Sequence, residues 1–165
     1  MATTYEPIAT NTLSSTAASV TFSSISGSYT DLVVVQTFTN AQTTGYTQFR
    51  FNGDTASNYS FTILQGTTVV ASGRESNQTS IRLGTTSYMS NANTITSIQN
   101  YSNATTYKTI ISRGTFGETS AQIRETDAGV GLWRSTSAIT SITLLISGGN
   151  YAIGTTFTLY GIKAA

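Results

Sequence analysis

The last twelve residues, Gly154 to Ala165, read GTTFTLYGIKAA. Thr155, Phe157 and Leu159 fall on one side of an extended chain and Thr156, Thr158 and Tyr160 on the other. This two-residue period is that of a strand with one face in a core and one in water. Asn150 and the Gly148-Gly149 pair mark a turn before it. A strand this near the end of the chain must pair with strands from much earlier, so the tail closes the fold. The other strand-like runs are its partners or form an opposite sheet.

Those runs are short and frequent. Ala18 to Ile25 alternates Val20 and Phe22 against Thr21 and Ser23, a first strand. Tyr29 to Phe38 (YTDLVVVQTF) is the most β-branched segment and predicts a central, buried strand. Gly45 to Phe51 sets Tyr46, Gln48 and Arg50 against Thr47, Phe49 and Phe51, and Asn52-Gly53-Asp54 gives a sharp turn. Tyr59 to Leu64 and Thr67 to Ala71 predict a hairpin about Gln65-Gly66. Thr79 to Leu83, Thr94 to Ile98, Tyr107 to Ser112, Gly131 to Arg134 and Ile139 to Ile146 read as further strands. Ser72 to Thr79 and Ser87 to Asn93 read as loops, Gly114 to Gly117 as a turn, and Gln122 to Asp127 as an edge strand or loop. Roughly eight to ten strands with regular turns are the pattern of a sandwich or barrel. We therefore expect an all-β, antiparallel β-sandwich over residues 16–165, behind a polar N-terminal arm over residues 1–15 in which Pro7 suits an irregular or edge position.

Composition narrows the chemistry. The 165 residues suffice for one domain with a sizeable core. There is no Cys and no His, which removes thiol chemistry, the commonest general base and the commonest transition-metal ligand. Only 9% of residues are charged, for a net +1, so Ser, Thr and Asn supply the polar surface. The start MATTYEPIATNT lacks a basic region followed by an apolar run, and no stretch approaches the ~20 apolar residues of a membrane helix. The sequence thus reads as a soluble product made in the cytoplasm. The sequons at Asn58, Asn77, Asn100 and Asn103 are what so much Asn, Ser and Thr produces, and are not read as glycosylated.

Candidate sites are few. Glu118, Glu125 and Asp127 come nearest to paired carboxylates, and a glycosidase needs two at a set separation. With Arg124 beside them in a stretch rich in Gly, Ser and Thr, they read instead as a solvated, self-neutralising loop. Asn52-Gly53-Asp54 offers oxygens to a hard cation, but one carboxylate makes a poor site and the turn already explains the pair. No GxSxG elbow, Walker pattern or GxGxxG occurs, and Lys108 and Lys163 are the only lysines. The six arginines, Arg50, Arg74, Arg82, Arg113, Arg124 and Arg134, are scattered among acids rather than gathered into the positive field nucleic acid requires. No catalytic, cofactor or metal residue is expected, and no enzyme. Trp133 and Arg134 are the residue types that anchor interfaces, and a core Trp packed between sheets is an equally good reading of Trp133. Nine Tyr leave room for a glycan-binding surface.

Four segments carry a resemblance: SISGSYTDLVVVQ (24–36), FRFNGDTASNYS (49–60), IQNYSNATTYKTIISR (98–113) and the tail GTTFTLYGIKAA (154–165). Together they resemble the small β-sandwich virion proteins of tailed bacteriophages, notably phages of cyanobacteria and marine bacteria. The most specific parts are FNGD followed by NYS, and the TFTLYGIKA ending. The resemblance implies a jelly-roll-like sandwich, a structural role in the virion and no catalytic residues. About fifteen polar residues before the first strand are too few for a fibre stalk at ~1.5 Å per helical residue. The expected role is therefore a capsid decoration (cement) protein on the outer capsid surface. Its expected partners are the major capsid protein, copies of itself as a homotrimer, and other virion proteins, with no nucleic acid and no membrane. The expected interface takes in Met1, Tyr5 and Pro7 of the arm together with Trp133 and Arg134. The alternative is a tail or fibre module that binds host surface glycan.

Overall fold

The computed structural model of the chain describes residues 4–39, 45–83, 90–117 and 123–163, with only the backbone described at 90, 91, 117, 123 and 124. It is an antiparallel β-sandwich of twelve strands and, among the described residues, no helix. The strands are β1 (Tyr5–Thr12), β2 (Ser19–Phe22), β3 (Asp31–Thr37), β4 (Thr47–Phe51), β5 (Tyr59–Gly66), β6 (Val70–Gln78), β7 (Ile81–Leu83), β8 (Ser90–Gln99), β9 (Lys108–Gly117), β10 (Ile123–Trp133), β11 (Ile142–Ile146) and β12 (Thr156–Ile162). The large sheet has the order β1-β12-β3-β8-β9-β10-β5-β6, and the small sheet β2-β11-β4-β7.

The pairings have a simple logic. β1, β2, β3 and β4 run outward along the chain, and β12, β11, β8 and β7 return to pair with them in that order. One long antiparallel ribbon is thus rolled up so that its strands alternate between two sheets. Two hairpins are inserted into it, β5–β6 after β4 and β9–β10 after β8. They pair with each other through β5 and β10 and extend the large sheet beyond the small one.

The tail behaves as its alternation predicts. Phe157 and Leu159 are buried inward while Thr156, Thr158 and Tyr160 look outward, and β12 pairs with β1 on one side and β3 on the other. β3 is central, between β12 and β8. The Asn52-Gly53 turn is present, with φ of 51° and 67°. Inward side chains such as Phe49, Phe51 and Leu144 of the small sheet meet Leu32, Ile98 and Phe157 of the large one.

Several segments differ from expectation, each for a physical reason. Tyr5–Thr12 is not a free arm but the edge strand β1. Its hydroxyls form a ladder with β12, Thr10 to Thr158 at 3.2 Å and Thr12 to Thr156 at 3.1 Å. An edge strand that is mostly exposed shows no apolar period. Ser72 to Thr79 is not a loop: through Gln78 it belongs to β6, which overhangs the small sheet and is wet on both faces. Residues 90–93 begin β8, while 87–89 lie outside the described residues. Gly114–Gly117 continues β9 rather than turning, and Ile123 to Trp133 is a single strand. The glycines there are close-packing positions. A Cβ on Gly131 would collide with the Ile81 side chain of β7 and sit 3.0 Å from Ile110 Cγ1, so β7 lies directly on β10. Gly131→Ala is expected to destabilise the fold by ~1–3 kcal/mol through overpacking, measured by chemical denaturation; an unchanged midpoint would contradict this packing.

The sheet edges are blunted. β1 carries Pro7 and a bulge between Pro7 and Ala9, β6 carries Arg74 and Glu75, and β2 and β7 have only four and three residues. These are devices that oppose strand-to-strand pairing with another chain. The edges therefore do not favour self-assembly.

Candidate functional site

Glu125 and Asp127 lie two residues apart on β10 and so share its inner face. They are 6% and 5% exposed, not a solvated loop. Their side chains are hydrogen-bonded to each other, and Gln65 Nε2 of β5 donates to Glu125 Oε1 at 3.2 Å. Two adjacent carboxylates in a dry site cannot both ionise cheaply. Burial first, then the Asp127 charge and their shared hydrogen bond, push Glu125 up to about 7, with Arg82 pulling the other way. Arg82 is itself engaged elsewhere: its guanidinium lies 3.1 Å from the Tyr46 ring centre, and Nη1 is 3.8 Å from Glu75 Oε1. The pair is a proton-sharing dyad. Glu118 lies outside the described residues.

The Asn52-Gly53-Asp54 turn spends its oxygens on the fold. Asn52 Oδ1 accepts from the backbone N–H groups of Thr140 and Ser141, and Nδ2 donates to Ala138 O. The Asp54 carboxylate accepts from Trp133 Nε1 at 2.7 Å, Asn58 Nδ2 at 3.0 Å and the Ala56 N–H at 2.8 Å. Burial raises its pKa, but these hydrogen bonds outweigh that and leave it lowered. No cation need be invoked to explain the geometry.

Trp133, expected at an interface, is 2% exposed. Its ring is stacked on Tyr59 at 6.3 Å and tilted against Phe51 at 5.6 Å. It is a core residue because the inner face of β10 ends against the β4–β5 turn, and it offers no surface to a partner. Arg134 is exposed and ties that turn to β6 through Asn77 Oδ1 at 2.7 Å. On the opposite side of the large sheet, Tyr5 is exposed and stands edge-on to Tyr160 at 6.3 Å, next to Pro7. Met1 lies outside the described residues. The five expected interface residues therefore do not form one surface: Tyr5 and Pro7 are at the β1 edge, Arg134 is at the far end, and Trp133 is inside. Tyr59, Tyr101 and Tyr151 are also fully buried, which takes three of the nine tyrosines, with Trp133, out of any sugar-stacking groove. Lys108 is buried as well, and its ammonium donates to the carbonyls of Thr106 and Thr136 at 2.7 and 3.1 Å.

The feature the sequence did not announce is the outer face of the large sheet. Leu64 of β5, Val130 of β10, Ile111 of β9 and Ile95 of β8 point outward and are 39–56% exposed. They are cross-strand neighbours: Val130 sits opposite Ile111, and Leu64 reaches Ile95 through Ala128 and Arg113. The outer face of the small sheet is made of Thr21, Thr143, Arg50, Gln48 and Arg82 with only Leu145 among them. Period-2 alternation could have revealed the patch, but only once β9, β10 and β5 were known to be adjacent.

No protein-family model matches the chain, and no curated protein matches it.

Proposed function

We propose that this protein is a structural component of a phage virion, a decoration protein seated on the outer capsid surface, with the major capsid protein and copies of itself as partners. In this reading the rolled eight-strand frame is a jelly roll, an architecture that recurs in viral capsid domains, enlarged by the β5–β6 and β9–β10 hairpins. The observation that carries the reading is the outer surface of the large sheet. It is broad and built from paired strands, with hydroxyl ladders at β1–β12 and aliphatic side chains across β8, β9, β10 and β5. Such a surface suits adhesion to another protein surface more than turnover of a small substrate.

The β1 edge of the sheet, with Tyr5 and Pro7, is the side we assign to the shell. Many weak, identical contacts repeated over a capsid lattice give the cement role its energy. The dyad at Glu125 and Asp127 is structural in this reading, because its two carboxyls share a proton in the core rather than flanking a cleft.

Cryo-electron microscopy of virions that carry the protein tests this. Density on the outside of the shell is the expected result. Density confined to a tail or fibre tip would overturn the decoration role and favour the glycan-binding alternative.

A further inference from the structure

The aliphatic half of the large sheet's outer face is out of keeping with the rest of the molecule. An antiparallel sheet with one face in water ordinarily turns polar residues outward, and the small sheet does so. On the large sheet the rule holds for β1 and for Thr156 and Thr158 of β12, and fails from β3 onward, where Val33 and Val35 share the outer face with Ile95 of β8. The same two insertions that widen the sheet carry Leu64, Ile111, Val130 and the neighbouring Leu132 on its outer side. Arg74 of β6 borders the same surface beside Thr62 and Val130.

We propose that this half-face is the docking surface for a second copy of the same chain, the two large sheets packing face to face about a twofold axis. Three observations point to a copy of the chain. The sheet edges are blunted by Pro7, the β1 bulge, Arg74 and Glu75, so association has to use a face. The six strands from β3 to β6 lie ~4.8 Å apart and run for about eight residues each, a surface of roughly 29 by 26 Å, or about 750 Å². That is close to the ~800 Å² each partner gives to an interface of standard size.

The third observation is charge. The half-face is bounded by Arg74 on β6 and by Asp31 at the start of β3, opposite signs on opposite margins. A twofold axis lying in the interface along the strands lays the β6 margin of one copy over the β3 margin of the other, so each Arg74 falls over the row of Val33, two residues (~7 Å) from Asp31 and within the span of a long side chain. A self-complementary patch of this kind makes a closed, isologous dimer, in place of the threefold cluster that the family resemblance implies.

The inference rests on this face and not on the virion reading; purified protein pairs in this way whether or not a capsid carries it. Analytical ultracentrifugation of the full chain from about 1 to about 100 µM should give twice the 17.5 kDa chain mass. Val130→Lys and Ile111→Lys, each at an exposed position, should weaken the dimer at least ~100-fold while leaving the far-ultraviolet circular dichroism unchanged. Gln48→Lys on the small sheet's outer face should leave the dimer intact. If the lysine variants misfold, Val130→Thr keeps the branched shape and should still weaken pairing about 10-fold. A monomer throughout the range, a trimer, or a dimer indifferent to the folded face variants overturns the proposal.

Discussion

Replacing Glu125 with glutamine is expected to stabilise the protein at pH 8 by roughly 1–3 kcal/mol. Glu125 in the unfolded chain releases its proton near 4.5, whereas in the folded protein it holds the proton to about 7. Between those values the folded state binds a proton that the unfolded state has lost, so wild-type stability falls as the pH rises through the window and then levels off. The amide of Glu125→Gln imitates the protonated carboxyl: it still donates to Asp127 and still accepts from Gln65. Urea denaturation at a series of pH values should show a downward slope between 4.5 and 7 in the wild type and a flatter one in the variant. Parallel curves would mean that the two carboxyls do not share a proton. The Asp54 carboxylate acts in the opposite sense, because its pKa is lowered from 3.8 in the folded state. Its contribution is complete above that value and is lost as the pH falls through the folded pKa. Stability should therefore peak in mildly acidic solution.

The second large effect is expected at Trp133. Trp133→Ala removes a fully buried indole and should cost ~3–5 kcal/mol. Trp133→Phe separates the two contributions of the side chain. It keeps a ring against Tyr59 and Phe51 but leaves the buried side of the Asp54 carboxylate without its 2.7 Å donor. The cost should be ~1–3 kcal/mol, with the Asp54 pKa moved upward. Because Trp133 is the only tryptophan, unfolding of both variants is best followed by far-ultraviolet circular dichroism. A Trp133→Phe variant as stable as wild type would show that the indole N–H does not hold the turn.

Trp133 also shows how far the sequence could be read. Its identity as a lone Trp next to Arg134 suited an anchor or a core residue equally, and only the position of β10 between β9 and β5 decides. Strands buried on one face were legible: β4, β11 and β12 alternate as their burial does. β1 and β6 were not, because β1 turns only Ile8 against the core and β6, exposed on both sides, has nothing to alternate. β10 was broken in two by glycines that look like turn formers and are there to let Ile81 and Leu83 approach. The dyad was misread for a related reason. Exposed carboxylates are the common case, and the burial of Glu125 and Asp127 depends on β7 and β5, which are distant in sequence. The aliphatic face likewise has no local sequence signature, since its members come from four separate strands.

The pairing of β1 with β12, Tyr5 opposite Ile162, has a consequence for how the molecule comes into being. The first strand finds its neighbour only after Thr156–Ile162 has been made, so the frame closes late. Contacts this remote in sequence place the protein among slowly folding topologies, on the scale of milliseconds to seconds. Until then β3 lacks its neighbour β12 on one side, and a partly assembled sandwich of this kind is open to misassembly. Charges and proline at the rims of the sheets are most valuable during that interval.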